Sequence, residues 1–191
     1  MNRRDAISAV SFLVGGTIIG AESSLTSCSG RPAPSTPSGF LTNDQISFLD
    51  EVAETILPTT PSSPGAKEAK VGAFMDIIVK DCYSPGDQKI FVDGIQSLEN
   101  ASKTTYDKSF LKLSPEEKHA FLLKIDGEAS TYKEIRKPED PENHYYSMVK
   151  QLTLLGYFTS EIGSTKALNH VAVPGRYEAC VPLKSGQKAW S

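Results

Sequence analysis

Between Leu41 and Leu155, apolar side chains recur at three- and four-residue intervals in five separate stretches, the spacing that turns one face of an α-helix toward a core. The first stretch opens on Thr42 with Gln45 three residues later, a capping box, and Leu41 and Ile46 occupy the N′ and N4 positions of a hydrophobic staple. Ile46, Leu49, Val52, Ala53 and Ile56 supply its apolar face, and Pro58 ends it. The run PTTPSSPGA, from Pro58 to Ala66, continues no regular element and reads as a surface loop. A second helix is predicted from about Lys67, with Val71, Phe74, Met75, Ile78, Val79 and Cys82 on its apolar side. Ser84-Pro85 resets the chain, and Ile90, Phe91, Ile95 and Leu98 mark a third helix, weakened by Gly94. A polar connection from Asn100 to Lys108 leads to Ser114-Pro115-Glu116-Glu117, a capping box with proline at the first helical position. Phe121, Leu122, Ile125 and Ala129 give this fourth helix its buried side. Asp140-Pro141 reads as the start of the fifth, whose stripe is Tyr145, Met148, Val149, Leu152 and Leu155.

After Gly156 the helical period is lost. Thr159-Ser160-Glu161 repeats a capping signal, Val171 to Val173 has room for one short extended piece, and the chain to Trp190 is otherwise without helical or strand periodicity. Such a segment belongs on the surface, because burial would strand its backbone N–H and C=O groups. No stretch sustains the two-residue alternation of a half-buried strand. The expected class is therefore all-α, an irregular bundle of five or six helices with a long non-periodic C-terminal segment. A length of 191 residues with 39% hydrophobic composition suits one helical domain, placed at 41–191, behind a flexible tether at 28–40 and an export signal at 1–27.

The export signal rests on two features. Arg3 and Arg4 precede the apolar run AVSFLVGGTIIGA at 9–21, which is too short to span a bilayer comfortably. Paired arginines before a glycine-diluted apolar run resemble a twin-arginine signal, used for proteins exported already folded. Ala6 and Ser8 depart from that pattern, where a large apolar residue and a lysine are usual. Leu25-Thr26-Ser27-Cys28 has the form of a lipobox, which would lipidate Cys28 and anchor the chain to a membrane, and the Pro/Ser/Gly-rich residues after it suit a solvated tether. The other reading is ordinary cleavage near Ala21, leaving Cys28 a free thiol. A net charge of −3 gives no electrostatic reason to bind nucleic acid.

Candidate chemistry is sparse. His119, His144 and His170 have no nucleophile or metal-ligand spacing beside them, and Glu139, Asp140 and Glu142 are explained by the dipole of a helix start. No catalytic, cofactor-binding or metal site is assigned. Cys28, Cys82 and Cys180 form neither a CxxC pair nor a haem motif. A disulfide between Cys82 and Cys180 is one reading in an oxidising compartment; a buried Cys82 and a free Cys180 is the other. Tyr157, Phe158, Pro174, Gly175, Arg176, Tyr177 and Trp190 concentrate aromatic rings and an arginine in the last part of the chain, the residue types that anchor protein interfaces. Tyr157 and Phe158 equally suit packing on the fifth helix.

Four runs carry a family resemblance: ETILPTTPSSPGAKEAKVGAFMDIIVKDCY, DQKIFVDGIQSLE, LTLLGYFTSEIG and VPGRYEACVP. Together they resemble the gluconate 2-dehydrogenase subunit 3 family. The resemblance implies a small, non-flavin subunit bound to a large FAD-dependent dehydrogenase of the glucose-methanol-choline type. Such complexes oxidise gluconate or related sugars and polyols at the outer face of the inner membrane, often passing electrons to a cytochrome c subunit. FAD is then expected in the partner and no cofactor in this chain. An export signal for folded proteins fits, since a flavoenzyme acquires FAD in the cytoplasm and an escort carrying the signal takes it across. Two other readings stand beside this one: a lipid-anchored periplasmic binding module without a redox partner, and a stand-alone enzyme using His170 or His144.

Overall fold

The computed structural model describes residues 39–137, 140, 143–173, 175–176, 180–182 and 184–190. Among the described residues five α-helices follow in order: α1 (Asn43–Ile56), α2 (Val71–Cys82), α3 (Pro85–Tyr106), α4 (Pro115–Ile135) and α5 (Tyr145–Thr159). A 3₁₀ turn at Phe110–Lys112 precedes α4 and a π-helical turn at Gly163–Ala167 follows α5. No strand occurs among the described residues, whose only β pairings are isolated bridges at Thr60/Ser63 and Asn169/Trp190. Residues 39–191 form one compact unit. The expected all-α bundle is the fold.

The helix starts follow their caps. Thr42 accepts from the Gln45 N–H while the Gln45 side chain accepts from the Thr42 N–H, and Ser114 and Glu117 make the same reciprocal pair at α4. Leu41 is buried and Ile46 packs at the edge of the same core, as the staple requires. α5 is the hub, touching α1, α2, α3, α4 and the π turn. That is why its buried positions (Tyr146, Met148, Val149, Leu152, Thr153, Gly156 and Tyr157) cover more than one stripe. At the other end of the core, the Phe110 ring sits between Phe48 and Phe121, with centroids 5.5 and 6.0 Å away.

Several boundaries differ from the sequence pattern, each for a local reason. α2 begins at Val71, not near Lys67, because Lys70 takes a left-handed conformation (φ 55°) that no helix interior tolerates. α3 continues to Tyr106, so most of the expected connection from Asn100 to Lys108 is helix. Its polar residues are an outer face, while Ser102 is buried and donates to the Lys108 carbonyl at 3.0 Å. α5 starts at Tyr145 with His144 as its cap, whereas Asp140 closes a turn by accepting from the Lys137 N–H at 2.8 Å. Pro141, Glu139 and Glu142 lie outside the described residues. The helix also runs on through Gly156 to Thr159.

Two glycines in these helices mark close approaches. A Cβ at Gly156 would come within 2.6 Å of the Phe74 ring, and one at Gly94 would collide with the Cβ of Tyr145. Gly94 therefore does not merely weaken α3; it lets α5 lie against it. The PTTPSSPGA loop is on the surface but tied down. The Glu54 carboxylate accepts from the Thr59 and Lys67 N–H groups, both at 2.9 Å, and Ala66 is fully buried.

Candidate partner-docking surface

On α5 the buried set leaves Ser147, Gln151, Leu154, Leu155 and Phe158 pointing outward at helical spacing. Leu154, Leu155 and Phe158 retain 40%, 48% and 37% exposure, an apolar ridge on the hub helix. Leu155 thus departs from the buried stripe expected of it. The stripe continues through Gly156, where Phe74 packs, and Leu155 lies a hundred degrees around the helix from it. Beside the ridge runs a groove of about 470 Å³ lined by Asp126, Ala129, Ser130, Ser147, Lys150, Gln151 and Leu154. The Lys150–Asp126 ion pair, 2.8 Å, ties α5 to α4 along it, and beyond the pair lie the exposed Leu123 and His119.

The aromatic pair singled out in the sequence divides. Tyr157 is buried, and its hydroxyl donates to the Pro64 carbonyl at 2.6 Å, pinning the PTTPSSPGA loop to the hub helix. It is an internal tie and not a contact for a partner, which corrects the interface assignment. Phe158 packs edge-on against it, with ring centroids 5.1 Å apart, and stays half-exposed. The C-terminal segment loops out and returns: the Asn169 N–H donates to the Ala189 carbonyl at 2.7 Å, and the Lys188 ammonium reaches the Lys166 carbonyl at the end of the π turn. Trp190 ends beside Asn169 with 58% exposure, and Gly175 and Arg176 are exposed on the outer part of the loop. Pro174 and Tyr177 lie outside the described residues, as do Arg3, Arg4 and Cys28.

Cys82 and Cys180 are both exposed, free thiols, so no disulfide joins them in the structure. Cys82 misses the apolar side of α2 because the buried positions step by four, through Val71, Met75 and Val79 to the half-buried Tyr83. Cys82 falls off that line at the last residue of the helix.

His144 sits between the Tyr132 and Tyr145 rings, at centroid distances of 5.2 and 4.4 Å. Burial lowers its pKa, against the opposing pull of Glu128. The neutral ring then uses Nδ1 to accept from the Tyr146 N–H at 3.3 Å. His144 is a helix cap, and His119 and His170 are exposed. Among the described residues no group of three His, Cys, Asp or Glu side chains has the arrangement to hold a metal ion.

One polar cluster gave no sequence signal. Glu51 on α1 receives the Lys118 ammonium from α4 and the Lys67 ammonium from the loop, both at 2.8 Å. Hydrogen bonds from the two lysines hold the Glu51 carboxyl below its usual pKa, Lys118 contributing most. Lys118 is nearly buried, its ammonium 5.7 Å from the Phe110 ring centre. The partners are 67 residues apart, and nothing local announces the pair.

Caps, core and polar clusters all serve to hold the bundle, and what the chain offers outward is an apolar helix ridge and an aromatic, cationic tail. This defines an all-α module with an apolar ridge left exposed on its hub helix. A family model for gluconate 2-dehydrogenase subunit 3 matches residues 43–175, which take in all five helices, the π turn and the start of the tail. The chain belongs to the gluconate 2-dehydrogenase subunit 3 family, and is of the accessory-subunit type found in that oxidoreductase complex. No curated protein and no solved structure matches the chain.

Proposed function

We propose that this chain is the non-catalytic small subunit of a periplasm-facing, FAD-dependent sugar or polyol oxidoreductase related to gluconate 2-dehydrogenase. It binds a large flavin-carrying subunit through the α5 ridge of Leu154, Leu155 and Phe158. The carrying observation is that ridge: an apolar face on the hub helix, left uncovered within the segment that the family shares. FAD resides in the large subunit, with a cytochrome c subunit as its electron acceptor. The Arg3-Arg4 signal exports the folded pair, and lipidation at Cys28 tethers it to the membrane. The Nδ1 lone pair of His144 is engaged in capping α5, which weighs against its use as the base of a stand-alone enzyme.

The test is co-purification from the native host. Changing Leu155 and Phe158 together to Asp leaves the helix content intact and abolishes recovery of a large flavoprotein, because two charges would have to be buried at the interface. Recovery at wild-type level would remove the ridge from the interface. Separately, Arg3→Lys with Arg4→Lys blocks periplasmic appearance of both chains if export is shared. Export of the large subunit alone would refute the escort role.

A further inference from the structure

The chain as a whole has more acidic than basic residues, Asp+Glu 23 against Lys+Arg 20. From Lys166 onward the balance reverses: Lys166, Arg176, Lys184 and Lys188 stand against Glu178 alone. All four cations are exposed. The same segment displays Val171, Val173, Val181 and Trp190, at 46%, 83%, 51% and 58% exposure. Its two ends are fastened together by the Asn169–Ala189 hydrogen bond and the Lys188–Lys166 contact, and Gly186 (φ 75°) makes the turn that brings Lys184 and Gln187 into hydrogen bonding. Between them, Val181, Pro182, Lys184 and Trp190 border a cleft of about 630 Å³.

We infer that this C-terminal loop is a membrane-contact element that lays Trp190 and the loop's exposed valines into the interface of an anionic phospholipid bilayer while its cations meet the headgroups. An indole half out of water beside branched aliphatic side chains is the amphipathic pairing that settles at the headgroup level, and clustered Lys and Arg are drawn by the negative surface potential. The acidic bundle behind the loop is repelled by the same surface, which fixes the orientation with the loop down. An acidic protein face would also attract the cations. It gives no reason for the valines to be strung along an irregular loop instead of gathered into one packed anchor. The contact is separate from acylation at Cys28 and from the α5 ridge, so it stands or falls apart from the assembly proposed above.

Trp190 is the only tryptophan, so its fluorescence reports this loop and no other part of the chain. The experiment uses the full chain carrying Cys28→Ser, with vesicles of phosphatidylglycerol or of phosphatidylcholine, each also prepared with brominated acyl chains. Anionic vesicles shift Trp190 emission to the blue and the bromine atoms quench it, whereas neutral vesicles do neither to a comparable degree. Replacing Lys166 and Lys184 by Gln lowers the partition coefficient on phosphatidylglycerol about 25-fold at low salt, roughly fivefold for each cation. Lys89→Gln on α3 changes nothing. Three results overturn the inference: unchanged emission while the protein sediments with vesicles, equal quenching on neutral lipid, or a blue shift on adding the purified large subunit but none on adding lipid.

Discussion

Two helical glycines in this bundle should respond to the same substitution with opposite signs. Gly127 lies on the exposed face of α4, and a Cβ built there meets nothing within 4 Å. Ala in place of Gly in a helix interior is favoured by about 1 kcal/mol, so Gly127→Ala should stabilise by that amount. Gly94 gains the same propensity term but places its new methyl against the Cβ of Tyr145. That atom is fixed to the α5 backbone and no rotamer change moves it, so α3 and α5 must separate. Overpacking of this kind costs about 1–3 kcal/mol, and the upper part of the range applies when backbone has to shift. Net of propensity, Gly94→Ala should destabilise by about 2 kcal/mol. For a domain of this size each kcal/mol moves the melting temperature by roughly 2–4 °C, giving a rise of about 3 °C for Gly127→Ala and a fall of about 6 °C for Gly94→Ala. Calorimetry or urea melts of the purified variants measure both. A Gly94→Ala protein as stable as the parent would refute the close α3–α5 approach and with it the packing around the hub helix.

Tyr157→Phe removes the donor to the Pro64 carbonyl without changing the buried ring, and should cost about 1–2 kcal/mol in a urea melt, with faster proteolysis at the PTTPSSPGA loop. Glu51→Gln leaves the nearly buried Lys118 ammonium without its counter-charge and should destabilise by about 1–3 kcal/mol, below the fully buried case because Glu51 keeps some solvent; Lys118→Met in the same background should restore part of it. The pH dependence follows from His144: its pKa is lower in the folded state, so the unfolded chain takes up the proton first. Stability should therefore fall as the pH drops below about 6.5, and His144→Asn, which caps without titrating, should flatten melting curves in that window. Glu51, with its lowered carboxyl pKa, adds stability above the unfolded carboxylate pKa and loses it at more acid pH; Asp50, raised chiefly by burial, works against that loss.

The fold was legible where local chemistry decides it. Thr42–Gln45 and Ser114–Glu117 place two helix starts to the residue, because a capping box is written within four positions. Ends and partners were harder. Nothing in the residues from Asn100 to Tyr106 distinguishes an exposed helix face from a polar connection; what keeps them helical is the packing of α3 below and the Ser102–Lys108 bond. Asp140-Pro141 has a helix-start signature, yet the half-buried ring of His144 supplies the cap instead. Tyr157 and Phe158 are adjacent and similar in composition, but Tyr157 continues the buried line of Val149 and Thr153, where its hydroxyl meets the Pro64 carbonyl, while Phe158 lies a hundred degrees further round and stays at the surface. The exposed ridge on α5 was visible only in part. A hub helix is apolar on several sides, so periodicity does not separate the side that packs from the side left exposed.

The central claim is that this subunit exists to hold a flavin dehydrogenase. The direct measurement is to express the tagged chain in its native host, solubilise the membranes gently, purify it, and read flavin absorbance alongside the masses of the chains that come with it. The account predicts a large second chain with bound flavin in fixed proportion to this subunit, lost when Leu155 and Phe158 are changed to Asp. A colourless single chain, from cells that make the dehydrogenase, would contradict it.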